Sequence, residues 1–319
     1  MKAEALGLPI GADDNINNSV VTPAERPNIA VGIATSGRKK ILSRTLDLIA
    51  QQTRLPDILV VCPTELEDIE HATIESFPFT TAVRLGKRGL TCQRNVILSA
   101  AINSDIIVFF DDDFFPHPDY LAEIERTFIS NADVVAATGR PMQDGANGPG
   151  LTAEEASAMI FADVRKAANA VVSPTYGTYG CNMAFRMRPI REHGLSFDEN
   201  LPLYGWQEDI DFSRQLSPFG RIIESDALCG VHLGAKGGRT SGVRFGYSQI
   251  ANPIYLIRKQ TISIAFGWSL MWRNVLANLA KGFSPEPWVD RRGRLRGNYL
   301  ALIDLALGRI SPQRILHLD

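Results

Sequence analysis

Four short, largely apolar runs, each followed by a helix-like segment, constrain the fold of this chain more than any other feature. They are Ile29–Ala34, closed by Thr35-Ser36-Gly37; Asp57–Cys62, stopped by Pro63; Thr81–Leu85; and Asp105–Phe110. Between them, 39–52, 65–76 (the weaker) and 90–103 carry apolar residues near helical spacing. Strands apolar throughout and alternating with helices indicate a parallel sheet covered on both faces. Ligands of such sheets sit beyond the carboxyl ends of the strands. That rule puts Thr35–Arg38, Pro63–Glu65 and Asp111–Asp113 on one rim. Further on, the pattern predicts a helix at 119–130, a strand at Val134–Thr138 and a loop over 140–150. A helix at 153–169 and an aromatic–glycine loop at Tyr176–Gly180 follow.

The chain has 319 residues, 45% apolar and 21% charged, enough for a large core in one domain or two joined ones. A net charge of -2 excludes a strongly basic nucleic-acid binder. Cys62, Cys92, Cys181 and Cys229 have no metal-site spacing and read as reduced thiols of a cytoplasmic protein. Residues 1–26 are polar, Asn-rich and aperiodic, the pattern of a flexible leader and not of a signal peptide. No run approaches the roughly 18 apolar residues of a spanning helix.

Four constellations could carry chemistry. Asp111-Asp112-Asp113 ends an apolar strand. Adjacent carboxylates raise one another's pKa unless a cation neutralises them, and oxygen ligands suit Mg2+ or Mn2+; the alternative is a solvated acidic turn. Trp206-Gln207-Glu208-Asp209-Ile210-Asp211 begins a helix-like stretch. Glu208 or Asp209 could take a proton from an attacking hydroxyl, or both could be favourable first-turn acids. His232, within Gly230–Gly234, is either a further metal ligand or a structural histidine. Lys236, Arg239 and Arg244 after it could screen a diphosphate. Arg88–Asn95 reads either as a helix N-terminus that attracts anions or as ordinary capping and surface charge.

The order of these motifs resembles the family-two glycosyltransferases with the GT-A fold, over about residues 28–260. It covers Ala34-Thr35-Ser36-Gly37-Arg38; Gly89–Asn95, like G-x-x-x-A-R-N; and Asp111–Asp113 with Pro116-x-Pro118-Asp119, like D-x-D and its proline turn. Gly180–Arg186 is similar to the G-x-N-M-A-F-R acceptor-side loop, Glu208-Asp209-x-Asp211 to E-D-x-D, and His232 follows. The resemblance implies an α/β GT-A fold, a mostly parallel Rossmann-like sheet flanked by helices. It implies an inverting, Mg2+- or Mn2+-dependent transferase moving sugar from a nucleotide-sugar donor to a saccharide or lipid-linked acceptor. Asp111, Asp113 and His232 would hold the metal. Thr35, Arg38, Arg88, Arg94, Asp111, Asp112, Lys236 and Arg239 would serve the donor. Asn182, Trp206 and Glu208 would serve the acceptor, with Asp209 as base and Glu208 as its helper. Residues 27–118 would form the nucleotide half and 119–260 the acceptor half. One departure stands out. Where many members end the second strand with Asp-Asp-Gly-Ser, this chain has Val60-Val61-Cys62-Pro63-Thr64, so the base contact is undefined.

Residues 261–319 read as a helical extension. Apolar stretches at 261–282 and 297–308 flank Arg291, Arg292, Arg294 and Arg296. Such faces lie on a membrane surface or pack on the catalytic domain or another subunit. Two rival readings are a sugar nucleotidyltransferase and an inactive GT-A binding module. The first wants a longer Gly- and Lys/Arg-rich loop after the first strand; the second would have lost the acids.

Overall fold

The computed structural model describes residues 26–163, 171–237 and 240–318. Its centre is an eight-stranded sheet. In chain order the strands are β1 (Ile29–Thr35), β2 (Ile58–Pro63), β3 (Thr80–Val83), β4 (Ile106–Asp111), β6 (Val134–Thr138), β8 (Val172–Pro174), β9 (Asn182–Arg186) and β10 (Arg221–Ser225). They lie in the order β3-β2-β1-β4-β9-β6-β10-β8. The first four pair in parallel, as does β6 with β10; β9 is inserted antiparallel between β4 and β6.

Alternate side chains of each strand enter opposite cores. Val31, Ile33, Val61, Val108 and Phe110 meet α1 (Lys39–Ala50) and α4 (Tyr120–Ser130) on one face. Ala30, Val60, Ile107 and Phe109 meet α3 (Leu90–Ala100), α6 (Met187–His193) and α7 (Glu208–Leu216) on the other. Gly32 lets α3 come close, because a Cβ there would stand 2.3 Å from Ile97 Cγ2. This double coverage is what runs without polar alternation require.

Several expectations change. The last five residues of the G-x-N-M-A-F-R segment, Asn182–Arg186, are the central strand β9, because Met183, Ala184 and Phe185 are wholly buried between two strands. The weak helix at 65–76 is a 3-10 turn at Leu66–Asp68 followed by a five-residue helix, α2 (His71–Glu75), since Glu65 and Asp68 cap that turn reciprocally. The 140–150 loop contains β7 (Gln143–Asp144). With β5 (Phe114–Pro116) and β11 (Gly230–His232), it forms a second sheet in the order β5-β11-β7. The helix α5 spans Ala153–Ala162, while 164–170 lie outside the described residues, as does the expected leader except for Arg26.

The C-terminal helices are α8 (Gly242–Lys259), α9 (Ile264–Gly282) and α10 (Arg291–Ala306). Val243, Tyr247, Ile250, Met271 and Ala301 form their shared core. Inside it the amides of Gln249, Asn278 and Asn298 bond to one another at 2.8–3.5 Å. The arginine cluster is no linker between apolar helices. It forms the opening turns of α10, because Asp290 caps the N-terminus by accepting from Gly293 N. Arg291 pairs with Glu286 and donates to Asn278 Oδ1, and Arg294 lies 4.5 Å from the Phe245 ring centre. Arg292 and Arg296 are exposed. Among the described residues, no helix is long and apolar enough to cross a membrane.

Candidate active site

The site lies at the carboxyl ends of β1 and β4. Asp111, Asp113 and His232 each offer a ligand atom within 4.8 Å of the others. Two carboxylates and an imidazole are a fitting donor set for a divalent cation. The chain reaches this arrangement in two steps. β4 delivers Asp111, and β5 then turns back and pairs antiparallel with β11, setting His232 opposite Phe114. The Leu233 N–H donates to Asp113 O, and the Ala235 N–H donates to Asp113 Oδ2 at 2.7 Å. Gly234, at φ +64°, makes the turn after His232.

The three adjacent acids are not equivalent. Asp112 points back to the β1 rim, where Thr35 Oγ1 donates to Oδ2 at 2.7 Å and Arg38 Nη1 to Oδ1 at 2.9 Å. Burial pushes its carboxyl up to about 7 against the pull of Arg38. Burial likewise raises Asp111, with Arg94 opposing and Asp113 adding to the rise. Asp113 is held below its usual value despite burial, chiefly by its bond to His232. Burial alone would lower His232, but Asp113 and Asp144 outweigh it and hold it at about 10. A cation here would replace that proton's charge.

The second pair of acids opens α7. Arg94 is 2% exposed and bonds Glu208 Oε1 through Nη1; its Nη2 donates to Asp111 Oδ1 at 3.1 Å and to Gly180 O at 2.8 Å. One guanidinium therefore spans from the metal-type acids to the α7 acids. Asp209 is held differently: Gly180 N donates to Oδ2 at 2.9 Å and Ile210 N to Oδ1 at 2.8 Å. Gly180 is tightly fitted, since a Cβ there would lie 3.3 Å from both Asp209 Oδ2 and Glu208 Oε1. Burial raises both acids, Glu208 to about 8 with the Asp209 charge adding to the effect. Asp211, the last acid of the motif, is wholly buried and accepts from Lys259 Nζ at 2.7 Å. Lys259 also reaches Asp198 at 2.7 Å, so α8 braces the helix that carries Glu208 and Asp209.

The remaining candidates are placed as follows. Lys236 Nζ donates to the carbonyls of Gly145 and Ala146. Arg88 is exposed in the loop before α3, and Arg239 lies outside the described residues. Asn182 is wholly buried, its Oδ1 accepting from Gly139 N at 2.7 Å and Thr138 Oγ1 at 3.0 Å, so it serves the sheet. Trp206 is half-buried against Phe245, and its carbonyl accepts from Asn252. Beyond the ends of β1 and β2, the Ser36 and Thr64 hydroxyls lie 3.0 Å apart, and Asp68 accepts from Thr64 Oγ1 and Gly37 N. Sequence reasoning missed Asp68, Asp144, Tyr179 and Lys259. Only Asp68 had a local signal, the reciprocal cap with Glu65.

No curated protein sequence matches this chain. The solved structures it resembles share its fold at low identity. TarS 1-349 of S. aureus superimposes with a TM-score of 0.54 at 15% identity, covering 91% of this chain and 83% of that one. A mannosyltransferase, PcManGT from Pyrobaculum calidifontis, solved with GDP-Man and Mn2+, gives 0.52 at 16% identity, covering 92% and 84%. GalNAc-T7, solved with UDP, GalNAc and Mn2+, gives 0.51 at 11% identity, covering 93% of this chain and 57% of that one. The fold is GT-A, with a helical C-terminal region added to the sheet. A family model, glycosyltransferase like family 2, matches residues 27–217, which take in every strand of the main sheet before β10 and all of the acids of the candidate site, and the chain therefore belongs to that family.

Proposed function

We propose that the protein transfers a sugar, with inversion, from a nucleoside-diphosphate sugar to a saccharide or lipid-linked saccharide acceptor, in glycoconjugate or polysaccharide synthesis. The observation carrying this reading is the joining of two acid groups by Arg94 at one strand rim: Asp111, Asp113 and His232 on one side, Glu208 and Asp209 on the other. A divalent cation held by the first group would neutralise charge developing on the departing diphosphate. The protein's own residues do the rest. Thr35 and Arg38 keep Asp112 on the β1 rim, which leaves Asp111 and Asp113 to the cation. Arg94 occupies Glu208, and Asp209, fixed by two backbone N–H groups, takes the proton of the attacking hydroxyl. Donors of the kinds solved with TarS and PcManGT, UDP-GlcNAc and GDP-Man, head the panel to test. Release of UDP or GDP that needs both metal and acceptor is expected with one of them. Binding of all donors without turnover under any acceptor would favour an inactive module.

The same reading places the enzyme peripherally on an anionic membrane, at the cytoplasmic face. On α9, Ile264, Trp268, Trp272, Leu276 and Leu279, and Phe283 just beyond it, recur every three or four residues and are all exposed. Residues 261–319 hold eight Lys/Arg against four Asp/Glu, in a chain of net charge -2. An uncharged helical stripe in a basic region fits a lipid interface. Trp268→Ser with Trp272→Ser should abolish sedimentation with phosphatidylglycerol vesicles. Arg292→Gln with Arg296→Gln should weaken it roughly thirtyfold at low salt, at about 1 kcal/mol per arginine. Indifference to such vesicles, with a dimer seen by light scattering, would assign the stripe to a second copy instead.

A further inference from the structure

β7 pairs in parallel with β11, and the register sets Asp144 beside His232. The His232 ring is 8% exposed and its two nitrogens face different acids. Nδ1 lies 2.8 Å from Asp144 Oδ1, while Nε2 lies 3.5 Å from Asp113 Oδ1. Asp144 is itself held. Ala146 N donates to Oδ1 at 2.9 Å, and the Tyr179 hydroxyl donates to Oδ2 at 2.8 Å. The Tyr179 ring stands edge-on to the imidazole, 6.2 Å away at 84°. Lys236 pins the carbonyls of Gly145 and Ala146, directly after Asp144.

We propose that Asp144 and Tyr179 are positioning residues of the metal centre: Asp144 keeps the His232 proton on Nδ1 and Nε2 turned to the cation, and Tyr179 holds Asp144. The inference rests on the proposed metal site. A ligating imidazole is oriented and made more basic by the carboxylate that takes its other N–H, and losing such a partner costs about 10- to 100-fold in metal affinity. Asp144 belongs to neither motif that suggested the site, and it lies 88 residues from His232 in sequence.

The probes are Mn2+ alone, followed by electron paramagnetic resonance on the full chain, and Mg2+ by competition. Mg2+ is held mainly through oxygen and water and depends little on an imidazole. Asp144→Ala should weaken Mn2+ by about 10- to 100-fold and Mg2+ far less. Tyr179→Phe, which removes one hydroxyl, should shift Mn2+ in the same direction by a smaller factor. Asp144→Asn keeps an acceptor for Nδ1–H and should fall between Asp144→Ala and the native chain. A folded Asp144→Ala with native Mn2+ affinity overturns the proposal. So does equal weakening of both cations, which is the mark of general loosening. If Asp144→Ala does not fold, native Mn2+ affinity in Tyr179→Phe overturns it. His232→Ala separates the two levels: if that change leaves Mn2+ binding intact, the metal site itself is misassigned.

Discussion

Asp209→Asn should lower turnover by about 100-fold or more while leaving donor affinity nearly unchanged, the usual loss when a general base is removed. The geometry separates it from its neighbour. Glu208 is engaged by a buried guanidinium, so removing its charge would take away one of the two carboxylate partners of Arg94 and disturb the fold as well as the chemistry. The Asp209 oxygens each receive a single backbone N–H, which positions the group yet leaves lone pairs for an incoming hydroxyl. Asparagine can keep only part of that arrangement and cannot accept the proton. Burial raises the Asp209 carboxyl above its ordinary value of 3.8. A base works deprotonated, so kcat/KM should fall as pH drops through this raised value, and the acid limb should lie above the usual carboxylate range. Single-turnover rates with calorimetric donor affinities check the first point, and a pH profile checks the second. NMR of the anomeric product checks the stereochemistry. A retained configuration, or an Asp209→Asn enzyme at native speed, would remove Asp209 from the role.

Chelation should abolish transfer, and Mg2+ or Mn2+ should restore it. Metal stabilisation of a departing diphosphate is worth several kcal/mol, so the loss should reach about 1000-fold. Without a cation, the diphosphate of the donor would approach the Asp111 and Asp113 carboxylates with only the charges of Arg94, Arg38 and His232 to offset them. The three acids should also separate by mutation. Asp113→Asn removes a ligand and should weaken Mn2+ strongly. Asp112→Asn should leave Mn2+ affinity near native, because its oxygens already accept from Thr35 and Arg38. Full activity in chelator, with no metal found by elemental analysis, would reject the metal reading. Equal losses of Mn2+ affinity in Asp112→Asn and Asp113→Asn would reject the division of roles.

The parallel half of the fold was legible because its strands are buried on both faces and therefore apolar without interruption, as in Ile29–Ala34 and Asp105–Phe110. β9 was not, because Asn182-Met183-Ala184-Phe185-Arg186 has no β-branched residue and becomes a strand only by sitting between β4 and β6. The acids of the candidate site were legible as clusters. Their division of labour was not, since it depends on partners far away in sequence: Arg38 for Asp112, Arg94 for Glu208, Lys259 for Asp211. Asp144 sits in a Gly- and Pro-rich stretch that reads as a plain loop, and only strand pairing brings it to His232. The arginine cluster was visible as composition, but Asp290 as the cap that draws it into α10 was overlooked.

The small sheet that brings β5, β7 and β11 together has a consequence for how the molecule is made. β5 and β7 do not pair with each other; both pair only with β11, and the bond from Ala235 to Asp113 closes a span of 122 residues. A nascent chain leaving the ribosome can pair β1, β2, β3 and β4 while β11 is still unsynthesised. Pairings this distant in sequence are slow to close, because loop entropy must be overcome before contacts reward it. The acids at the end of β4 thus emerge early, while His232, the third member of the candidate metal group, arrives in the last third of synthesis. If these three residues hold a metal, a misfolded or truncated molecule that has built most of its sheet would still be unable to complete the centre.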